Sequence, residues 1–181
     1  MSKTLILIPS RLSATRLPGK PLLKINNLSI ISHVVKKAKE SRIGKVYVAA
    51  EDQEIVDDVK KNGGQAILTN NQHKTGTDRI YEAIQKFDNS KIELVMNLQG
   101  DEPLMNINDI RNLKYQMIKT QSQLGTLASK IVDKNLHDDL DVVKVMTEKK
   151  LNLSNFPLAK NFMRKSDATC KNIYHHLGIY C

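Results

Sequence analysis

The run Leu5-Ile6-Leu7-Ile8-Pro9 gives way at once to Ser10-Arg11-Leu12-Ser13-Ala14-Thr15-Arg16-Leu17-Pro18-Gly19-Lys20-Pro21-Leu22. Four aliphatic residues in succession read as a short buried strand, and the loop that follows begins at its carboxyl end. Working outward, further short apolar runs fall at Val46 to Ala50, Gln65 to Leu68 and Leu94 to Leu98. Between them lie longer amphipathic stretches, Ile30 to Glu40, Glu54 to Asn62, Thr77 to Phe87 and Ile107 to Lys119. This βαβαβαβα order predicts an α/β fold of three layers: a mainly parallel, Rossmann-like sheet with helices on both faces. In such a sheet, ligands bind outside the carboxyl ends of the strands, so the loops after the strands carry the chemistry.

From Leu124 onward the pattern changes to strand-like segments, Leu124 to Val132 and Val142 to Met146, separated by the charged stretch Asp133 to Asp141. This reads as an inserted lobe within a single domain spanning 1–181. The final segment, His175 to Cys181, is apolar at Leu177, Ile179, Tyr180 and Cys181, with no Gly, Pro or Asn turn after it, so the domain is expected to be incomplete at its C-terminus.

The chain has 181 residues, of which 40% are hydrophobic, enough for an ordinary buried core without metal or disulfide staples. No apolar stretch approaches the roughly 20 residues that span a bilayer, and Met1-Ser2-Lys3-Thr4 runs into a strand rather than a signal peptide. A cytoplasmic protein without membrane contact is expected. Cys170 and Cys181 have no metal-binding or redox spacing and are assigned no role. The formal charge of +9 comes mainly from lysines scattered over helix faces, and three phenylalanines with no tryptophan leave little for base stacking. Nucleic-acid binding is therefore not expected. Arginine is scarce. Of Arg11, Arg16, Arg42, Arg79, Arg111 and Arg164, four fall in segments that read as site loops, which suits an anionic substrate.

Three loops stand out. The first carries Arg11, Arg16 and Lys20 with three hydroxyls, and Gly19 between two prolines permits a tight path; by composition it is a triphosphate cradle, or else a solvated basic turn. It has neither P-loop nor dinucleotide-fingerprint spacing. The second loop, Gln99-Gly100-Asp101-Glu102-Pro103, places an acidic pair after an apolar strand. Mg²⁺ takes one or two carboxylates and fills its other positions with water and phosphate oxygens, so Asp101 alone can anchor it, although Gly100-Asp101-Glu102-Pro103 also suits a plain β-turn. The third loop, His73-Lys74-Thr75-Gly76-Thr77-Asp78-Arg79, precedes a helix expected to begin near Ile80, with Thr77 as N-cap and Asp78 in the first turn. Its amides and hydroxyls suit a base or ribose. His73 has no Ser or Cys nucleophile to pair with.

Together, Ile8-Pro9-Ser10-Arg11 with Thr15 to Leu22, His73-x-Thr75-Gly76-Thr77-Asp78-Arg79 and Asn97-Leu98-Gln99-Gly100-Asp101-Glu102-Pro103 closely resemble the 3-deoxy-manno-octulosonate (KDO) cytidylyltransferases, or CMP-KDO synthetases. The resemblance extends to Val142-Val143-Lys144-Val145, Ala159-x-x-Phe162-x-Arg164 and His176-Leu177-Gly178-Ile179-Tyr180, which is essentially the whole chain.

It implies a nucleotidyltransferase that converts CTP and KDO to CMP-KDO and pyrophosphate for lipopolysaccharide biosynthesis, with Mg²⁺ as cofactor. By resemblance Arg11, Lys20 and Asp101 would be catalytic, with Asp101 the metal ligand. Pro9, Ser10, Arg11, Arg16, Lys20, Thr75, Gly76, Thr77, Arg79 and Gln99 would bind CTP. Arg164 and His176 would contact KDO, making 124–181 the sugar-binding lobe. The stretch Glu148 to Leu158 departs from the family's sequence, and Met163-Arg164-Lys165-Ser166 stands where Ser-Arg-Ser-Pro is common. The family's sequence also continues, with a dimer-forming segment and a second metal-binding aspartate, so the complete protein is expected to be a homodimer. Two other readings are a cytidylyltransferase for 8-amino-KDO or sialic acid, and a non-catalytic basic nucleotide- or nucleic-acid-binding module.

Overall fold

The computed structural model describes residues 4–13, 17–88, 91–152, 155–166 and 171–181. In chain order its elements are β1 (Thr4–Ser10), β2 (Lys24–Ile25), β3 (Leu28–Ser29), α1 (Ile30–Glu40), β4 (Lys45–Ala50), α2 (Gln53–Lys61), β5 (Ala66–Leu68), α3 (Gly76–Ile84), β6 (Leu94–Asn97), α4 (Ile107–Thr120), β7 (Thr126–Ser129), β8 (Lys144–Thr147), β9 (Ala159–Met163) and β10 (Ile173–Tyr180). The chain forms two compact units, one of residues 1–124 with 179–181 and the other of residues 125–178.

In the first unit β1 is the organising strand. Leu5, Ile6, Leu7 and Ile8 are all buried, as an apolar run with helices on both sides of its sheet requires. It pairs in parallel with β4 on one side and β6 on the other, and β4 pairs in parallel with β5, giving the order β5-β4-β1-β6. Successive side chains leave a strand on opposite faces. Leu5, Leu7 and Ala49 meet Ile80 and Ala83 of α3 in one core cluster, with Tyr47, Ile67, Phe87 and Val95 at its edge. Ile8 turns the other way. A Cβ built on Gly100 would lie 3.5 Å from its Cγ2 and 3.2 Å from Cδ1 of Ile31 in α1. The α1 helix packs in turn on α2 and α4. The result is the expected three-layer α/β architecture with a mainly parallel sheet, to which Tyr180 of β10 adds an antiparallel pair with Asn97 of β6.

Local chemistry sets the helix starts. Ser29 caps α1 by accepting from the Ser32 amide, and both serine hydroxyls donate to Asp58 of α2 at 2.5 and 3.0 Å. Thr75 caps α3 through a reciprocal capping box with Asp78, so the helix starts at Gly76 and not near Ile80. The residue expected as cap, Thr77, lies one position further into the first turn. The correction follows from spacing, since only Thr75 has an acidic residue three positions on. Two elements are additional to the expected set. One is the β2–β3 hairpin, whose Asn26 and Asn27 both adopt positive φ. The other is β9, exposed along most of its length.

The second unit is antiparallel where β8 pairs with β9 and with β10, and β7 also joins β10. A short 3-10 turn, Lys134–His137, lies in the charged stretch. Among the described residues no helix is long and apolar enough to cross a membrane. Cys181 is free, and burial pushes its thiol up to about 11, so it stays protonated at neutral pH. Arg16 and Cys170 lie outside the described residues.

Candidate active site

A cleft of about 320 Å³ lies at the carboxyl ends of β1 and β6. Pro9, Ser10 and Arg11 line it from the end of β1, Lys20 and Pro21 from the turn after the first loop, Thr75, Gly76 and Arg79 from the start of α3, and Gln99, Gly100 and Asp101 from the end of β6. All three loops singled out by sequence therefore converge there. Thr77 is exposed and outside this lining.

Small residues allow the loops to come close. A Cβ on Gly100 would lie 3.0 Å from the Pro9 carbonyl oxygen, and one on Gly76 would lie 3.2 Å from the Pro9 ring. Gly19 holds a left-handed conformation, φ 72°, immediately before the short 3-10 helix that carries Lys20. From there Lys20 reaches across the cleft and donates to Asp101 Oδ2 at 2.7 Å. This pair joins the first loop to the second, and both side chains remain partly open to solvent. Ser10 Oγ is buried and has no hydrogen-bond partner among the described residues, a polar group at the cleft wall ready to meet a ligand.

The third loop is fixed from both sides. Within α3's first turn, the Thr75 hydroxyl donates to Asp78 at 2.6 Å, and this bond leads the effects that hold the Asp78 carboxyl below its usual value. Further along α3, burial alone would raise the Glu82 carboxyl. Hydrogen bonds from His73 at 2.6 Å, the Asn70 amide at 2.8 Å and Lys86 outweigh that and hold it low. His73 thus serves as a loop fastener. Arg79 is 2% exposed; its guanidinium pairs with Glu51 and donates to Thr69 Oγ1 at 2.7 Å and the Asn70 carbonyl at 3.3 Å.

Asp101 brings one carboxylate to the cleft, and no group of three or more His, Cys, Asp or Glu gathers among the described residues. That donor set does not make an all-protein cage. It does fit a Mg²⁺ that shares its coordination between one carboxylate and nucleotide phosphates.

In the second unit, His176 is buried, hydrogen-bonded to Thr126 Oγ1 at 2.8 Å and packed edge-on against Phe162 with ring centroids 5.0 Å apart. Desolvation, assisted by neighbouring His175, lowers its pKa, so the imidazole is neutral near pH 7. Arg164 is exposed and donates to the Leu140 carbonyl at 2.8 Å. Lys144, fully buried, sends its ammonium to the carbonyls of Asp139 and Arg164 at 2.5 and 2.6 Å. Sequence reasoning did not assign Lys144, Glu51 or Asp52 a role. The partners of Glu51 and Asp52 lie 28 to 40 positions away, and Lys144 is marked in the sequence only as a lone cation in an apolar run.

The cytidylyltransferase family matches residues 5–181. The chain is 39% identical, over 98% of its length and 72% of the relative's, to 3-deoxy-manno-octulosonate cytidylyltransferase of Afipia carboxidovorans. It is 38% identical, over 99% and 73%, to the enzyme of that name in Rhodopseudomonas palustris. The solved structure of CMP:2-keto-3-deoxy-manno-octonic acid synthetase complexed with CTP superposes with a TM-score of 0.85 at 33% identity, covering 99% of this chain and 73% of that one. Family match, identity and fold agree: the chain belongs to the cytidylyltransferase family, among the 3-deoxy-manno-octulosonate cytidylyltransferases.

Proposed function

We propose that the protein transfers the cytidylyl group of CTP to 3-deoxy-manno-octulosonate, forming CMP-KDO and pyrophosphate. The observation that carries the reading is the convergence of Arg11, Lys20, Gln99, Asp101 and the N-terminus of α3 on one cleft at the carboxyl ends of β1 and β6. The anomeric hydroxyl of the sugar attacks the α-phosphorus, the bond to the β-phosphate oxygen breaks, and the hydroxyl proton is lost to solvent. No covalent enzyme intermediate is needed, so the residues act by positioning and by stabilising charge.

Arg11 and Lys20 neutralise the charge that grows on the leaving pyrophosphate. Gln99, Ser10 and the amides at Thr75 and Gly76 seat the nucleotide, aided by the positive end of α3. Pro9 and Gly76 set the close backbone approach. Arg79 braces the third loop from beneath through its buried pairing. Asp101 would hold Mg²⁺, whose chemistry there would be to neutralise phosphate charge. Lys20, paired with Asp101 across the cleft, would exchange that partner for the phosphates of the nucleotide. Arg164 and the neutral, preoriented His176 contact the acidic sugar.

The test is to incubate the protein with CTP, Mg²⁺ and KDO and measure pyrophosphate and CMP-sugar formation, with 8-amino-KDO, sialic acid and the other nucleoside triphosphates run in parallel. Turnover restricted to CTP and KDO is expected. Preference for another acidic sugar would reassign the acceptor, and no turnover with any pair would overturn the reading.

A further inference from the structure

The first loop is tied down by a fourth loop that the three motifs do not include. Where β4 ends, Glu51 and Asp52 turn back toward β1. The Leu12 amide donates to Asp52 Oδ2 at 2.8 Å, and the Ser13 hydroxyl donates to Glu51 Oε1 at 3.1 Å. The other Glu51 oxygen pairs with Arg79, whose side chain is almost fully buried. Asp52 occupies the N-cap position of α2 yet makes no side-chain cap bond; its carboxylate is spent on the loop instead. A side-chain cap stabilises a helix, so the fold forgoes that gain to fix Leu12.

Glu51 joins two of the cleft's loops at once, since its two oxygens serve residues 13 and 79. It also occupies the Arg79 guanidinium, so that among the described lining residues Arg11 and Lys20 are the cations left to meet phosphate. Resting on the function proposed above, we propose that Glu51 and Asp52 are positioning residues for the nucleotide half of the reaction. They hold residues 11–13 in the path that presents Arg11 to the triphosphate and touch neither substrate themselves.

Asp52→Ser is the discriminating variant, because serine retains helix-capping ability but is too short to reach the Leu12 amide. Asp52→Asn keeps an acceptor of the right length. With the Ser variant the KM for CTP is expected to rise about tenfold, the scale of one hydrogen bond to a charged group. The KM for KDO should stay unchanged and Asn should restore most of the loss. Inorganic pyrophosphate, titrated calorimetrically, should weaken in parallel. Unchanged CTP and pyrophosphate constants in the Ser variant would overturn the proposal, as would an equal rise for CTP and KDO, which marks a general structural defect. Should Asp52→Ser fail to fold, Ser13→Ala, which removes one exposed hydroxyl, must still raise the KM for CTP measurably; no change would count against the tether. A wild-type protein inactive with every nucleotide and sugar would instead fault the assigned reaction.

Discussion

Asp101→Asn separates chemistry from stability. The carboxylate's structural partner is Lys20 at 2.7 Å, and the two side chains are 49% and 34% exposed. An ion pair so open to water is worth about 0.2–1 kcal/mol, which for a chain of this length moves the melting temperature by no more than about 4 °C. Mg²⁺ placed on a transferring phosphate is worth several kcal/mol; at about 1.4 kcal/mol per factor of ten, losing its protein ligand should cost about 100-fold or more in rate. The assay is initial pyrophosphate release across a Mg²⁺ series at saturating CTP and KDO, alongside thermal unfolding by circular dichroism. The variant should melt close to wild type and turn over at 1% or less of its rate. Near-wild-type turnover at limiting Mg²⁺ would show that Gly100-Asp101-Glu102-Pro103 is only a turn. A fall in melting temperature of about 10 °C or more would show that Asp101 serves the fold.

Arg11→Ala should lower kcat/KM for CTP by roughly 10², while Arg164→Ala should raise the KM for KDO and leave CTP almost unaffected; equal effects on both substrates would undo the division of labour between them. Thr75→Ala removes the α3 cap and should cost about 1 kcal/mol in chemical denaturation, with an unchanged midpoint refuting the capping role. For His176 the folded pKa lies below the ordinary value of 6.5, so the unfolded chain binds the extra proton first. Its contribution to stability is thus present above pH 6.5 and is lost as pH falls from there through the lower folded pKa. Replacing His176 with Gln should flatten the melting-temperature profile across that window, and an unaltered profile would refute the assignment.

The helix α1 was legible in sequence to the residue, because its apolar positions repeat every three or four residues and nothing beyond the chain's own pattern is needed to bury them. The strand β9 was not. Lys160 and Asn161 are exposed, and its pairing with β8 comes from backbone groups that leave no mark on composition. The β2–β3 hairpin announced itself only through Asn26-Asn27, a pair tolerant of positive φ but flanked by two-residue strands too short to show alternation. In the cleft, Arg11, Lys20 and Asp101 could be named because strand ends point them at one region. The Glu51 and Asp52 bonds could not, since partners 28 to 40 positions apart meet only after the sheet has assembled.

The Lys144 ammonium bonds two main-chain carbonyls, those of Asp139 and Arg164. Every amino acid supplies a carbonyl, so the tie places no demand on which side chains stand at 139 and 164. Residue 144 alone is constrained by it. The strand can therefore keep the loop at 139–141 and the backbone at 164 in place while evolution samples those two side chains freely. On the function proposed above, acceptor preference can drift at Arg164 without the frame beneath it having to be reinvented.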